Sequence, residues 1–411
     1  MSDIEVRPIT DAEIPDWTRC TRTAFHAGSD VTEEHVDFAR WIMNDLSRRM
    51  GGFIDGSLSG TAGSFVEQLT VPGGVTVPMA AVTQVTVLPT HRRRGLLREM
   101  MHTQLRDVRG RGELVAMLIA AEWPIYGRFG YGLAVEAAAT IVDAGAAEFR
   151  DPTLRGSIEI VDLPEFRTLA PAIFDAHRVQ SPGAITRGDI MWDALTGVVP
   201  RPSEDPPKGR VRVVRRTATG ELDAYAVYET RDEWVHNRPQ VKLSLLEAIA
   251  ATDEAYVDLW RYVCSVDWVT EINARVRAVD EDIRQLFVNG RVARQADRSD
   301  HMWVRLLDVP GALAARRYEV PVSLVIDVRD DLFGDGRYRL EGDATGASCE
   351  PTDAPADVTL GVDVLGGLYL GGGSVRPYQL AGRVEELTSD ATARLDRSMR
   401  TARAPWATTN F

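Results

Sequence analysis

The sequence predicts a mixed α/β and α+β fold in three successive units, expected at 1–148, 149–300 and 301–411. Three observations predict it. Segments of two-residue alternation and segments of helical apolar spacing follow one another throughout, so neither type dominates. The order of elements in the first unit is strands, then strand–helix–strand, then one more strand. It returns after a polar, Gly- and Pro-containing stretch at 145–157, which suggests a structural duplication without a residue-level repeat. The texture changes again near Met302, where short strands lead into helices. At ~150 residues per domain, a chain of 411 residues accommodates this plan and can bury several cores with no disulfide or metal staple.

Residues 4–8 read as the first strand, and a helix follows to about Phe25. Thr32 is placed to N-cap a second helix with Phe38, Trp41, Ile42 and Leu46 at helical spacing. Residues 51–55 and 60–71 alternate, and the Pro72-Gly73-Gly74 turn joins the latter to 75–88 as a hairpin. After Pro89, the basic segment His91-Arg92-Arg93-Arg94-Gly95 leads into a helix with Leu97, Met100, Met101, Leu105 and Val108 on one face. A strand at 113–121, a short helix at 124–129 and a strand at 134–142 close the unit. The second unit begins as strand then helix at 157–163. Strands are expected at 210–216, 224–228, 241–248 and 271–279, with a helix carrying Tyr256, Trp260, Val263 and Cys264 before the last. In the third unit, strands at 302–308, 318–328 and 337–342 precede helices over 356–370 and 378–399. The second of these helices shows Leu380, Val384, Leu387, Ala391, Leu395 and Met399 as an apolar stripe.

Composition narrows the class. Hydrophobic residues at 44% and charged residues at 26% are ordinary for a globular protein, and no apolar run approaches the ~18–20 residues of a membrane span. The opening Met-Ser-Asp-Ile-Glu-Val has neither a basic n-region nor an apolar h-region, so no cleaved secretory signal is expected. Cys20, Cys264 and Cys349 are odd in number and far apart, which argues against a disulfide framework and a cysteine-rich zinc site. No metal is expected. A reducing, cytoplasmic location follows, with signal-less export left open. A net charge of −13 makes a poor partner for nucleic acid or an anionic membrane and draws cations instead.

The informative stretch is Gln84-Val85-Thr86-Val87-Leu88-Pro89-Thr90-His91-Arg92-Arg93-Arg94-Gly95-Leu96-Leu97-Arg98. A strand stops and a glycine-containing turn opens a helix. The first helical N–H groups have no intrahelical partners and carry the positive end of the dipole, which makes an anion site. The arginines add charge, and Gly95 lets the backbone approach a phosphate closely. A pyrophosphate is the natural guest. On these residues alone the turn reads equally well as a solvated basic loop. A nucleic-acid role is weaker, because the rest of the chain is acidic and no aromatic residues interleave with the arginines.

Arg92-x-x-Gly95, after a strand and opening a helix, resembles the pyrophosphate loop of the GNAT superfamily of N-acetyltransferases, with Leu97 in place of the final small residue. The longer string from Gln84 to Leu97, with Ile125-Tyr126-Gly127-Arg128-Phe129-Gly130-Tyr131-Gly132, is similar to the Eis (enhanced intracellular survival) acetyltransferases of actinobacteria. The three-unit length fits too, as does Leu368-Tyr369-Leu370-Gly371-Gly372 ahead of an aromatic C-terminus. The resemblance implies tandem GNAT folds, the second degenerate, followed by a sterol-carrier-protein-like α+β domain, assembled as a homohexamer. The second unit's residues fit degeneracy. After 241–248 the turn reads Ile249-Ala250-Ala251-Thr252-Asp253-Glu254-Ala255, with no arginine or glycine and two carboxylates to repel a pyrophosphate.

The resemblance further implies an acetyl-coenzyme A-dependent N-acetyltransferase acting on primary amines (aminoglycosides, lysine side chains or others) by direct transfer in a ternary complex. No cysteine sits at the site to carry the acetyl group. The pantetheine arm is placed along Val85, Thr86 and Val87, whose backbone N–H groups polarise the acetyl oxygen. The pyrophosphate is placed on Arg93, Arg94, Gly95, Leu96, Leu97 and Arg98, with Ala121 and Glu122 along the cleft. Tyr126 is implied as proton donor to the leaving thiolate, with Tyr131 the nearby decoy; on residues alone, a tyrosine before a glycine is a packing residue. The α-carboxylate of Phe411 is implied as proton acceptor. With a reference pKa of ~3.3–3.7 it is a weak base in water and becomes useful when desolvated or acting through a bridging water. The alternative is a frayed terminus, against which Pro405-Trp406 and the terminal aromatic argue. Amine specificity is expected from Phe25, His26, Phe38, Trp41, Gln84 and Trp192, with Asn410 beside the terminus. Aromatic walls and a carboxylate suit a cation, although each of these residues is also a candidate for the core. A competing expectation is a sterol-carrier-type protein that binds a lipid or other apolar ligand beside a vestigial GNAT unit. The intact Arg92–Gly95 turn argues against vestigiality.

Overall fold

Alternation along β1 (Ile4–Pro8) pairs it antiparallel with β2 (Arg49–Ile54), Ile4 opposite Ile54. Between them lie α1 (Ile14–Ala24), which buries Ile14, Trp17 and Cys20 on one face, and α2 (Glu33–Ile42). Thr32 caps α2 as the sequence suggests, and its own N–H donates to Nδ1 of His35 at 3.1 Å, a capping box closed by a histidine. β3 (Ser57–Val71) and β4 (Val75–Val87) form the expected hairpin. Then come α3 (Leu96–Gly110), β5 (Val115–Ile119), parallel to β4, and α4 (Trp123–Tyr126). Met100, Met101, Leu105 and Val108 on the inner face of α3 are fully buried, which seats the helix on the sheet. β6 (Gly132–Asp143) ends the first run. The computed structural model describes residues 3–202, 209–281 and 283–411.

The second run repeats the plan. β7 (Ser157–Val161), α5 (Leu163–Arg178) and α6 (Asp189–Thr196) precede β8 (Val211–Arg216) and β9 (Leu222–Arg231). A two-residue ladder of β10 (Trp234–Val235) and β11 (Arg238–Pro239) leads to β12 (Val241–Ala250), α7 (Asp253–Cys264) and β13 (Val269–Ala278), which lies parallel to β12. The strands run β6-β13-β12-β9-β8-β7 across the sheet. One face of this sheet packs on Leu259, Trp260 and Val263 of α7, and Phe166, Ala170, Ile173 and Phe174 of α5 form a second core with Tyr225 and Ile249.

The last run holds β14 (Ala293–Leu306), α8 (Val309–Ala315), β15 (Val322–Arg329), β16 (Gly336–Gly342), β17 (Ala347–Pro351), β18 (Val358–Gly361), α9 (Val362–Leu368), α10 (Val375–Leu380), β19 (Val384–Glu386) and α11 (Ala391–Met399). Five of its strands form a sheet in the order β17-β16-β15-β18-β19. The helices expected over 356–370 and 378–399 are shorter. Gly382 at φ +70° stops α10, and Val384–Glu386 pairs with Val358–Leu360 as a strand. A stripe spaced like a helix is thus shared between β19 and α11. The helix α8 lies where no element was expected, and the strand expected at 318–328 begins only at Val322.

By packing, the chain divides into two units. One holds the chain up to Ala134 with His301–Thr401 and Asn410–Phe411; the other holds Val135–Asp300 and Ala402–Thr409. Residues 135–148, expected with the first unit, pack in the second because β6 pairs with β13, Asp143 opposite Glu271 and Ala137 opposite Ala278. Within the first unit, glycines admit α9: a β-carbon at Gly132 would overlap the Asp363 carbonyl, and one at Gly366 would overlap that of Val304. No helix among the described residues is long and apolar enough to cross a membrane.

Candidate active site

β4 and β5 are paired only over Met79–Ala81 and Val115–Met117. Farther along, β5 pairs on its other edge with β14, Met302 opposite Ile119, while β4 runs on to Val87 without it. The hairpin register shifts between Thr61 and Gly63, and Gln84 on the facing strand takes φ +55°. Such a bulge bends a strand. It is fastened from β3: Thr61 Oγ1 donates to the Gln84 carbonyl at 2.7 Å and lies 2.6 Å from the Thr86 hydroxyl. Buried Arg49 reaches the Gln84 side-chain oxygen at 3.3 Å. Val85, Thr86 and Val87 consequently line a cleft of about 790 Å³. Peptide groups on the open edge of β4 have no β5 partner there, and an extended amide chain is what satisfies a strand edge.

At one end of the cleft the chain turns sharply. Arg93 takes φ +65°, and Gly95, at φ +93°, is the N-cap residue of α3 with no side-chain cap. The nearest atom to a β-carbon built on Gly95 is Cδ1 of Ile4 at 4.0 Å, so the backbone angle rather than space calls for glycine. Leu96, Leu97 and Arg98 of the first turn line the cleft, as do Gly95, His91, Arg92 and Arg93. Orphan N–H groups, the positive end of the helix and three guanidinium groups therefore converge, and the set fits a pyrophosphate. Arg94, expected in this set, is exposed in the turn and is not part of the lining.

The opposite wall comes from the end of β5 and from α4: Ala121, Glu122, Ile125 and Tyr126, then Arg128 and Phe129. Tyr126 is 7% exposed and meets Tyr131 edge-on at 6.0 Å between ring centroids. Burial, helped by the Glu122 carboxylate, pushes the Tyr126 phenol up to about 12, so it stays a neutral donor at ordinary pH. Tyr131 is fully buried, packs in the core with Phe129 and Trp303, and does not line the cleft. Cys20 lies behind Thr86; burial raises its thiol to about 11 against the opposing Thr86 hydrogen bond, so it is protonated. Among the described residues no cysteine lines the cleft.

Phe25, 52% exposed, and His26 follow the end of α1 and line the same cleft. Phe38 and Trp41 on α2 contact each other at 5.5 Å, half-buried, outside the lining, as is Gln84 at the bulge. The chain end is docked: the Phe411 ring packs edge-on against Phe65 of β3 at 5.7 Å. Phe65 stands opposite Ala81, the residue at which β4 parts from β5. Asn410 beside it is exposed. Trp192 corrects an expectation. It is 3% exposed in the core of the second unit, edge-on to Phe174 at 5.7 Å and beneath the Arg187 guanidinium at 5.0 Å, with no open face for a ligand. Sequence reasoning missed Ala24, His91, Arg92, Ile125, Arg128, Phe129 and Phe65 as contributors. Arg92 and Arg128 stood inside the recognised motifs, whereas only the β3–β4 register could have identified Phe65.

Residues 5–134 match the acetyltransferase (GNAT) domain model, residues 183–306 match a second acetyltransferase (GNAT) model, and residues 309–408 match the sterol carrier protein domain. The molecule is an acetyltransferase of the GNAT class built in tandem, and GNAT acetyltransferases use acetyl-coenzyme A. An uncharacterized N-acetyltransferase of Streptomyces griseus is 41% identical over 410 residues, 98% of each chain. The N-acetyltransferase Eis of Mycobacterium tuberculosis is 35% identical over 338 residues, 80% of each chain. The crystal structure of Eis1 from Mycobacterium abscessus superposes with a TM-score of 0.87 at 32% identity, covering 99% of this chain and all of that one. The chain belongs to the Eis family of N-acetyltransferases. These relatives give the carrier-only expectation no support.

Proposed function

We propose that the first GNAT unit passes the acetyl group of acetyl-coenzyme A to a primary amine in one step, within a ternary complex. The observation that carries this reading is the parting of β4 from β5 beside a helix start with a glycine N-cap and arginines around it. When bound, acetyl-coenzyme A supplies a thioester whose carbonyl carbon accepts the amine. Gly95 and the first turn of α3, with Arg92, Arg93 and Arg98, hold the pyrophosphate. The open edge of β4 at Val85–Val87 takes the arm as an added strand and aims N–H groups at the thioester oxygen. The Phe411 α-carboxylate takes one proton from the ammonium, directly or through water, and frees its lone pair. As the C–N bond forms and the C–S bond breaks, the Tyr126 hydroxyl gives its proton to the departing thiolate. The nitrogen's second proton returns through solvent to Tyr126, and Phe411 releases its own. The products are an amide, a free thiol and one proton. The protonated Cys20 thiol supports direct transfer over an acetyl-enzyme.

The acceptors proposed are aminoglycosides, lysine side chains and other primary amines. Exposed Phe25, the chain-end carboxylate and a net charge of −13 all favour a cation. The scheme uses no metal. The proposed location is the cytoplasm, and the proposed assembly is a homohexamer, which sedimentation can read. The test of function is coenzyme A release across a panel holding an aminoglycoside, a lysine peptide and an arylalkylamine. Amine-dependent release with at least one acceptor is expected. No release above thioester hydrolysis with any of them would overturn the proposal.

A further inference from the structure

The second GNAT unit keeps the strand plan of an acetyltransferase, yet its own chain fills the place a cofactor arm would take. β12 and β13 are paired from Val241 to Leu245; beyond that, β12 shifts register against β9 between Leu245 and Glu247, and β13 shifts between Ala274 and Arg277. Buried Arg277 bridges the gap and donates to the Ala248 carbonyl at 3.1 Å. Its guanidinium stacks 4.5 Å from the ring of Trp406. Trp406 donates its indole N–H to the Val276 carbonyl at 2.8 Å and its backbone N–H to Pro182 at 2.8 Å.

Two residues farther on, one guanidinium holds the tail. Arg187 Nη2 donates to the Thr408 hydroxyl at 3.0 Å, and Nε donates to the Thr409 hydroxyl at 2.9 Å. The same group is paired with Glu247 at 2.6 Å, and Glu247 also accepts from the Tyr225 hydroxyl at 2.9 Å. Phe174 covers the guanidinium at 3.9 Å, and the Arg187 side chain is 2% exposed. Burying an ion pair is rarely the cheapest way to fill a core. Here its remaining donors serve two hydroxyls just before the chain end.

We infer that the second unit is a receptor for residues 404–409 of its own chain, and that Arg187 and Glu247 are positioning residues that set where the Phe411 carboxylate stands. The inference rests on the proposed role of that carboxylate. Its physical content is reach. Thr409 is two residues from Phe411, so holding Thr409 keeps the Cα of Phe411 within about 7 Å of it, whereas a tail held only as far as Trp406 leaves about 18 Å of chain. The clamp narrows where the base can stand.

The test is the Thr408→Val/Thr409→Val pair, which keeps shape and removes both hydroxyls, beside the Thr408→Ser/Thr409→Ser pair and a chain extended by one glycine after Phe411. With saturating acetyl-coenzyme A, the valine pair is expected to lose about 10²-fold in kcat, with acetyl-coenzyme A affinity unchanged by calorimetry. The serine pair is expected to restore turnover. A clamp that is merely structural would lower the melting temperature and leave kcat of the folded enzyme intact. If the glycine extension abolishes turnover while the valine pair keeps normal kcat, the clamp is overturned and the proposed function stands. If the extension turns over normally, the carboxylate's role fails and the inference fails with it. Should the valine pair melt below the assay temperature, Thr409→Val alone, which leaves Thr408 on Arg187, is read by the same criteria.

Discussion

Between β4 and α3 the chain runs from Leu88 to Gly95; between β12 and α7 it needs only Ala251 and Thr252. In the first turn the N-cap glycine leaves the helix donors free, and three arginines surround them. In the second, Thr252 Oγ1 accepts from the Ala255 N–H at 3.1 Å, and Asp253 and Glu254 occupy the first helical turn. Glu254 is drawn to buried Arg215 at 2.6 Å, and the Thr252 hydroxyl also reaches Asp223 at 3.2 Å. The second helix start is capped by Thr252 and carries two carboxylates in its first turn, which disfavours an anion there. Two copies of one strand plan therefore differ in the short turn on which the proposed acetyl-coenzyme A site rests, and fold alone does not carry an activity.

The difference can be broken or sharpened by substitution. The largest effect is expected from Tyr126→Phe, which removes the phenolic donor from the cleft wall. Turnover should fall about 10³-fold with acetyl-coenzyme A affinity unchanged, read by steady-state kinetics and calorimetry. Next is Glu281→Gln in the second unit, which leaves Arg277 buried without its charge partner and should cost about 3 kcal/mol in a urea melt. Burial raises the Glu281 carboxyl, but the charge and hydrogen bonds of Arg277, with Tyr256 and Thr140, overcome that, so its pKa is lowered. A lowered carboxyl contributes stability that is present above the ordinary glutamate pKa of ~4.3 and lost as pH falls through the lowered value. Melts recorded from pH 5 to 3 should show an acid limb that flattens in Glu281→Gln. Gly95→Ala forces a side chain onto φ +93°, and roughly 1–2 kcal/mol of strain should appear as about tenfold weaker acetyl-coenzyme A binding. The smallest effect is expected from Thr252→Ala. Loss of that cap should cost about 1 kcal/mol of stability and leave acetyl-coenzyme A binding untouched.

Much of the fold was legible in local patterns. β1, the Pro72–Gly74 hairpin, the Thr32 cap and the helix after Gly95 all depend on neighbours in sequence, and each appears where periodicity and turn chemistry place it. The misreadings came from contacts made at a distance. Val384 looks helical beside Leu380 and Leu387, yet pairing with Leu360 makes it a strand. Trp192 looked like an amine wall and is core, because Phe174 and Arg187 close over it. The turn proposed as the anion end of the cleft was readable because it is contiguous in sequence. The docking of Phe411 on Phe65 joins residues far apart in the chain, and no local pattern encodes it.

The comparison between the two units reduces to a count of acetyl-coenzyme A molecules bound. Calorimetric titration of the full chain is expected to give one site per chain, and Gly95→Ala is expected to weaken that single site while Thr252→Ala leaves it alone. Two sites per chain, no binding, or a site indifferent to Gly95 and sensitive to Thr252 would contradict the account.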